Sequence, residues 1–391
     1  MSLQTHYHVD VSHLDDFVTS LGPQGFYDNV QKTRKMIIDF KKNAVLLVID
    51  PQNSFMEANL SLRRPQGSLS VPNSNIDIHN IIQLVNDGYF HEVHVSLDTH
   101  SPRHIAHPGF WMYLNEQSGT WEDATDAQSF NVLKNMPSDG ESGDWYIEGT
   151  HIFSGVKTRF HPKKTVDDSD GTNSFGVLCT YVRMYINAIN NGNGHQAIIW
   201  PEHCLESTYG HEVAQELKTC LDSVQRQNTS SVFYHTKGRN NLAEMYSIFS
   251  AEFPVHDFWL NLIPGYAYEV SNTCANFQDL VGSQHYKSRS DNIYTSRNNA
   301  FLARLFGENN TVYVCGEART HCVKASVMDM IQYVKEWNAF VKSLNMEDKT
   351  IHMSRIVLLL NSTSPIGNSE ESDNESALAN IMRREGCVVM A

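Results

Sequence analysis

The 391-residue chain has no apolar stretch approaching the roughly twenty residues that cross a bilayer, so it offers no candidate membrane span. Positive charge is also short. Thirty basic residues stand against 44 acidic ones, the formal charge is −14, and no dense Lys/Arg block is present to meet phosphates. Neither nucleic acid nor membrane is therefore expected as a partner. The seven cysteines, at positions 179, 204, 220, 274, 315, 322 and 387, are odd in number and widely spaced. That suits reduced thiols in a cytoplasm better than a disulfide framework. The N-terminus carries His and Asp where a signal peptide would carry Lys or Arg before a long apolar run, which again predicts a cytoplasmic protein. Internal repeats are absent, and the one low-complexity feature is a short polar stretch at 368–374. What remains, 41% hydrophobic and 19% charged, is a globular chain long enough for one large domain with elaborations or two modest ones.

Against those absences stands a recurring pattern of short apolar runs, each ending in a chemically capable residue. Val45–Ile49 runs into Asp50, and Val93–Leu97 ends in Asp98-Thr-His100. Ile198-Ile199-Trp200 leads to His203, Ser231–His235 leads to Lys237, and Val312–Cys315 leads through Gly-Glu-Ala to Cys322. A buried parallel strand reads as such a run, and ligands in open α/β sheets sit beyond the strands' carboxyl ends. Each signal alone has a plainer reading. Asp50 could cap a turn, and a cysteine after a buried strand is more often a small core residue than a nucleophile. Trp200 and Tyr246 could equally fill a core. Lys237 is hardest to read as inert, because a lysine directly after a buried strand is costly without an anion nearby.

Taken together the residues fall into two sets. Asp50, Lys237 and Cys322 supply a proton acceptor, a cation and a nucleophile, with a helix start and the ammonium both favouring the thiolate. Asp98, His100 and His203 supply one carboxylate and two imidazoles, a donor set for a divalent ion with positions left open. His104 and His107 lie close enough in sequence to approach that ion, although a supporting or pocket-wall role is the stronger expectation. His321 adjoins the nucleophile, but neighbouring residues on a helix point about 100° apart, so it is expected to face structure. Cys204 is read as packing.

The order of elements predicts an α/β fold: three layers, α/β/α, around a mostly parallel, Rossmann-like sheet of about six strands. Residues 1–42 are read as an N-terminal extension with a helix near Gly25–Lys41, and residues 43–391 as the main domain. Strands are expected at Ala44–Ile49, His91–Leu97, Gln196–Trp200, Ser231–His235, Thr311–Cys315 and Ile356–Leu360, with Cys387–Met390 as a further one. Helices are expected at 74–86, 175–190, after His211, 297–306, 320–337 and 371–384. Two segments, 111–175 and 254–295, read as insertions, the first with little regular structure. Long structureless loops are uncommon in compact domains, so both are expected to roof the site or join subunits.

The motifs Val-Ile-Asp-Pro-Gln-Asn-x-Phe, Asp-x-His, Trp-Pro-x-His-Cys, Lys-Gly and Cys-Gly-x-Ala-x-x-His-Cys-Val resemble the nicotinamidase-related branch of the isochorismatase-like cysteine hydrolases. The resemblance runs from about Ala44 to the C-terminus, interrupted by the insertions. It implies a catalytic triad of Asp50, Lys237 and Cys322, and metal ligation by Asp98, His100 and His203. It also implies a cis bond at Glu317–Ala318, an oxyanion hole from the N–H groups of Ala318 and Cys322, and a ring pocket lined by Phe55, Trp200 and Tyr246. The implied activity is metal-dependent hydrolysis of a small carboxamide, nicotinamide above all, within pyridine nucleotide salvage. The implied cofactor is one divalent metal, zinc first with iron or manganese admissible, and no organic cofactor. A homo-oligomer is a further implication. Two alternatives stand beside it: a metal-independent isochorismatase-like or carbamoyl-cleaving hydrolase, and a catalytically silent binding protein of the same fold. Ser54 departs from the family pattern, which has an acid there. So does the distance between the two metal-ligand motifs, and both departures bear on the substrate.

Overall fold

The computed structural model describes residues 43–135, 146–163, 174–192, 195–253, 297–366 and 377–390. The expected N-terminal helix, the second insertion and Cys274 lie outside the described residues. In chain order the elements are β1 (Ala44–Ile49), α1 (Ser74–Asn86), β2 (Glu92–Asp98), β3 (Trp111–Asn115), β4 (Thr120–Asp123), β5 (Asn131–Asn135), β6 (Ile147–His151) and β7 (Lys157–Pro162). They continue with α2 (Ser174–Asn190), β8 (Ile198–Ile199), α3 (Gln215–Arg226), β9 (Ser231–Lys237), α4 (Asn299–Phe306), β10 (Thr311–Gly316), α5 (Lys324–Ser343), β11 (Ile356–Leu359), α6 (Ala377–Glu385) and β12 (Val388–Met390).

Six strands form an all-parallel sheet in the order β12-β11-β10-β1-β2-β9. β1 is buried along its whole length, which explains its unbroken AVLLVI run. Its side chains alternate between two cores. Ala44, Leu46 and Val48 meet α1 and α3 through Ile78, Ile81, Leu217 and Leu221. Val45, Leu47 and Ile49 meet α4, α5 and α6 through Phe301, Leu305, Met330 and Met382. Chain order reverses between β1 and β10, so the sheet's topological switch point lies at their carboxyl ends.

Two strand expectations change. Residues 196–200 do not enter the parallel sheet. Only Ile198–Ile199 pair, and they pair with β5. The sixth parallel strand is instead β12 at the far edge, against β11. The first insertion is also not structureless: β3 to β7, with β8, form a second, antiparallel sheet in the order β4-β3-β7-β6-β5-β8. Its strands have at most six residues, are partly exposed, and are separated by Gly- and Asp-rich turns, so no strong periodicity marks them. The sheet packs on α2 through Trp111, Leu133, Phe160, Tyr181 and Ile186. Leu242 and Ala243, in the loop after β9, share that core. Tyr181 Oη donates to Leu242 O at 2.6 Å, and Tyr185 Oη accepts from Glu244 N at 3.1 Å. The insertion thus braces a loop that reaches the switch point.

Candidate active site

Four strand ends converge there. Asp50 follows β1, Asp98 closes β2, Lys237 closes β9, and Cys322 follows β10 in a π-helical turn, Arg319–Val323, that leads into α5. Such single π turns recur at functional sites. Asp50 is wholly buried and held at φ 43°, a left-handed conformation that costs a non-glycine residue of order 1–3 kcal/mol. Ser96 fixes it by accepting from Asp50 N at 2.9 Å and donating to Oδ1 at 2.6 Å. Gly316, at φ 102°, permits the neighbouring turn, because a Cβ there would sit 2.1 Å from Ile49 O.

Lys237 joins the two sets of residues. Its Nζ donates to Asp98 Oδ1 and to Met245 O, each at 2.9 Å, and lies 3.7 Å from Cys322 Sγ. Asp50 Oδ2 is 3.0 Å from the same ammonium, as an ion pair without hydrogen-bond alignment. Burial pushes the Lys237 pKa down, but Asp50, Asp98 and Cys322 outweigh it and leave the pKa well above the ordinary range. Burial raises Asp50, and neighbouring Asp98 adds to this while Lys237 opposes it. Burial drives the Cys322 pKa well above its ordinary value, and Asp50 and Asp98 reinforce the rise against Lys237. Desolvation and the two carboxylates thus favour the protonated thiol, and Lys237 favours the thiolate. Activation of the thiol depends on Asp50 taking the proton.

The Glu317–Ala318 peptide is cis. Around it the amides of Glu317, Arg319, His321 and Val323 are committed to Ile49 O, Ser364 O and, for the last two, Ala318 O. A cavity opens over Cys322, lined by Phe55, Trp200, Tyr246, Glu244, His203 and His321 among others. Ala318 and Cys322 line the same cavity. Trp200 Nε1 donates to Tyr246 Oη at 3.0 Å, which fixes two of its aromatic walls. His321 does not face structure as expected. It lines the cavity, 5.3 Å from both Trp200 and Tyr246, and burial lowers its pKa to about 3.

The second set converges on Asp98. His100 Nδ1 donates to Gly238 O at 3.0 Å, and His203 Nδ1 donates to Pro201 O at 2.8 Å. Both Nε2 atoms face Asp98 Oδ2, that of His100 in a 2.9 Å hydrogen bond and that of His203 at 3.4 Å. Imidazoles held by backbone carbonyls with the other nitrogen aimed at a carboxylate oxygen have the orientation of metal ligands. One carboxylate oxygen and two imidazole nitrogens gathered at one point form a donor set that fits a divalent ion. Burial opposes ionisation of Asp98, but His100 and Lys237 carry its pKa well below the ordinary carboxylate range. Gln52 pins this strand end by bonding both Asp98 N and Asp98 O, at 2.7 and 2.8 Å. Ser54 Oγ accepts from Cys204 N at 2.9 Å, and Cys204 is buried with its thiol pKa raised by desolvation. Cys204 therefore packs.

One participant, Glu244, escapes a reading of the sequence. Among the described residues, metal-capable groups form from His100, His107 and His203, and from His100, His104 and Glu244. Glu244 is buried, its Oε2 has no hydrogen-bond partner, and burial raises its pKa. Its only sequence signal is its place seven residues after Lys237 in the Lys-Gly loop.

No family model matches the chain, and no curated protein matches it. Solved structures do. The yeast nicotinamidase Pnc1p bound to the inhibitor nicotinaldehyde shares 17% identity at a TM-score of 0.43, over 89% of this chain and 99% of that one. A nicotinamidase/pyrazinamidase from Acinetobacter baumanii shares 16% at 0.43, over 89% and 95%. PnC1 from L. infantum in complex with nicotinate shares 15% at 0.40, over 89% and 92%.

Proposed function

We propose that this chain is a cysteine amidohydrolase that cleaves the C–N bond of a small carboxamide through a thioester, with nicotinamide or a close analogue as substrate. One observation carries the reading: a single buried ammonium, Lys237 Nζ, touches Asp50, Asp98 and Cys322 Sγ at 3.0, 2.9 and 3.7 Å. Binding roles do not require a thiol, a base and a cation in one dry contact, and the cluster favours an enzyme over a silent binding protein.

Asp50 takes the Cys322 proton as sulfur attacks the carboxamide carbon, and Lys237 stabilises the sulfur as its negative charge develops. The carbonyl oxygen becomes an oxyanion against the N–H groups of Ala318 and Cys322, where one such donor contributes about 3–4 kcal/mol in other enzymes. Asp50 then protonates the departing nitrogen, ammonia leaves, and a thioester remains on Cys322. Asp50 next accepts a proton from water, which attacks the thioester carbon, and its return to sulfur restores the thiol and frees the acid. Phe55, Trp200 and Tyr246 hold an aromatic ring in the cavity.

Asp98, His100 and His203 would hold the divalent ion, with zinc the first choice and iron or manganese admissible. When bound, such an ion supplies Lewis acidity, which orients a substrate heteroatom and makes water a stronger acid. The intact donor set favours this reading over a metal-independent hydrolase.

The test is ammonia release from nicotinamide by purified protein of known metal content, beside Cys322→Ala. Release that vanishes in the variant supports the proposal. If no carboxamide in a panel containing nicotinamide, benzamide and pyrazinamide is hydrolysed by metal-loaded protein, the proposal is wrong.

A further inference from the structure

We propose that Glu244 sets substrate choice: its free carboxylate oxygen accepts a hydrogen bond from an N–H or O–H group on the substrate. The preferred carboxamide therefore carries such a donor beyond its scissile amide. The inference rests on the amidohydrolase reading above and names the substrate class that reading leaves open.

The main chain around Glu244 is fixed from several sides. Its N–H donates to Tyr185 Oη at 3.1 Å, its carbonyl accepts from Glu252 N at 2.9 Å, and Met245 O accepts from Lys237 Nζ at 2.9 Å. The side chain is thus held at the cavity wall by a braced backbone. Its two oxygens differ. Oε1 accepts from Met245 N at 2.9 Å, whereas Oε2 has no hydrogen-bond partner although the residue is only 4% exposed. Leaving a buried carboxylate oxygen unpaired is costly, so an oxygen in that state marks a place where a partner is received.

That partner is a donor, because a carboxylate offers acceptors alone. Two protein donors nearby are already spent: Lys237 Nζ on Asp98, Asp50 and Met245 O, and Trp200 Nε1 on Tyr246 Oη. Asp98, the other carboxylate on the wall, has Oδ1 on Lys237 and Oδ2 on His100. Among the described residues lining the cavity, Glu244 is therefore the carboxyl group with an oxygen to spare. Metal ligation accounts for it less well. The metal-capable group that contains Glu244 also needs His104, whose Nε2 and Nδ1 are taken by Ala243 O and Ala106 N at 3.1 and 3.2 Å.

In the proposed mechanism the scissile nitrogen faces Asp50, so the donor for Glu244 sits elsewhere on the substrate. The aromatic walls suit a flat ring, and the donor is then an amino or hydroxyl substituent or a ring N–H.

The experiment measures kcat/KM of the metal-loaded, full-length protein on benzamide, on the ortho, meta and para aminobenzamides, and on nicotinamide, whose ring offers only an acceptor. The wild type should use at least one aminobenzamide at least about 10-fold better than benzamide, with the gain in KM. Glu244→Gln keeps the shape but can turn an amide N–H toward the cavity. In that variant the aminobenzamide advantage should vanish, and nicotinamide should gain on benzamide instead. Wild-type protein that hydrolyses benzamide and all three aminobenzamides alike overturns this inference alone and leaves Oε2 to a buried water. An advantage that survives unchanged in Glu244→Gln also overturns it, as does a Glu244→Gln protein that no longer holds its metal. Protein that hydrolyses no amide removes this inference together with the proposed function. The wild-type comparison needs no variant, so it decides the matter even if Glu244→Gln fails to fold.

Discussion

Two groups of histidines, one along the β2–β9 pair and one beyond its carboxyl end, are wired in opposite ways. Midway along β2 and β9, His94 Nδ1 meets His235 Nε2 at 2.9 Å, His94 Nε2 meets Glu92 Oε2 at 3.0 Å, and Arg304 closes the line on Glu92 at 2.8 Å. The rings stack with Phe233 and Phe301 at 4.9 and 4.5 Å. Every ring nitrogen of His94 is used along a chain that runs outward to a half-exposed ion pair. Beyond the strand ends, His100 and His203 each turn one ring nitrogen to a backbone carbonyl and the other toward Asp98 Oδ2. Close packing of imidazoles is common to both groups, and convergence on one carboxylate oxygen is not. The difference follows from where each residue sits. Within a strand, neighbours are fixed by the sheet, whereas beyond its carboxyl end the chain is free to bring side chains from several strands to one point.

That contrast can be tested from its largest consequence downward. Cys322→Ala should reduce amide hydrolysis by at least about 10⁴-fold, whereas His235→Phe should leave kcat within about threefold; equal losses in steady-state kinetics would erase the distinction. Lys237→Met strips the cation from two buried carboxylates and should lower unfolding free energy by about 3–5 kcal/mol. Arg304→Met, on a partly exposed pair, should cost about 0–1 kcal/mol. Urea midpoints of the two variants measure both, and comparable shifts would mean that the site pair is no better buried than the outer one.

Metal content gives the next contrast. His203→Ala should lose at least about 10-fold in zinc affinity, and His235→Phe should bind zinc as the wild type does, both read by elemental analysis after dialysis. Zinc retained in full by His203→Ala would remove it from the site. The smallest effect is on acid stability. Burial lowers His235 well below the ordinary 6.5, and His94 is lowered for the same reason. Below pH 6.5 the unfolded chain binds protons that the folded protein refuses, so stability is full above that pH and declines as pH falls. Each such histidine contributes up to about 1.4 kcal/mol per pH unit. His235→Phe should flatten the slope of unfolding free energy between about pH 6 and 5 by up to one proton's share, and an unchanged slope would contradict the assignment.

Much of the parallel sheet can be read along the chain. The central strands at 44–49 and 311–316 are buried on both faces and show as nearly unbroken hydrophobicity, while 92–98 and the half-buried edge strand 231–237 show as shorter apolar runs. The polar residues that end them are in the cluster because chain direction carries strand ends to one edge. The second sheet could not be read in this way. Its strands are short and half-exposed, and their stability comes from a core shared with α2 and the 242–251 loop. Local pattern does not record such a partnership. Ile198–Ile199 shows the same limit from the other side, since an apolar run there pairs with the insertion and not with the main sheet.

The sequence alone therefore determined the kinds of groups available and their places after strands: Asp50, Asp98, His100, His203, Lys237 and Cys322. It also carried the turn that Gly316 permits, because backbone conformation at one residue is a local property. Only the tertiary structure decided the surroundings of the Cys322 thiol, where desolvation and two carboxylates brought from β1 and β2 push its pKa up against Lys237. It also decided that His104 is spent on backbone groups, and that Glu244 and His321 reach the cavity. Those outcomes are set by distances between residues far apart in the chain, and hydrogen bonds and charges act over a few ångströms in space, whatever the separation in sequence.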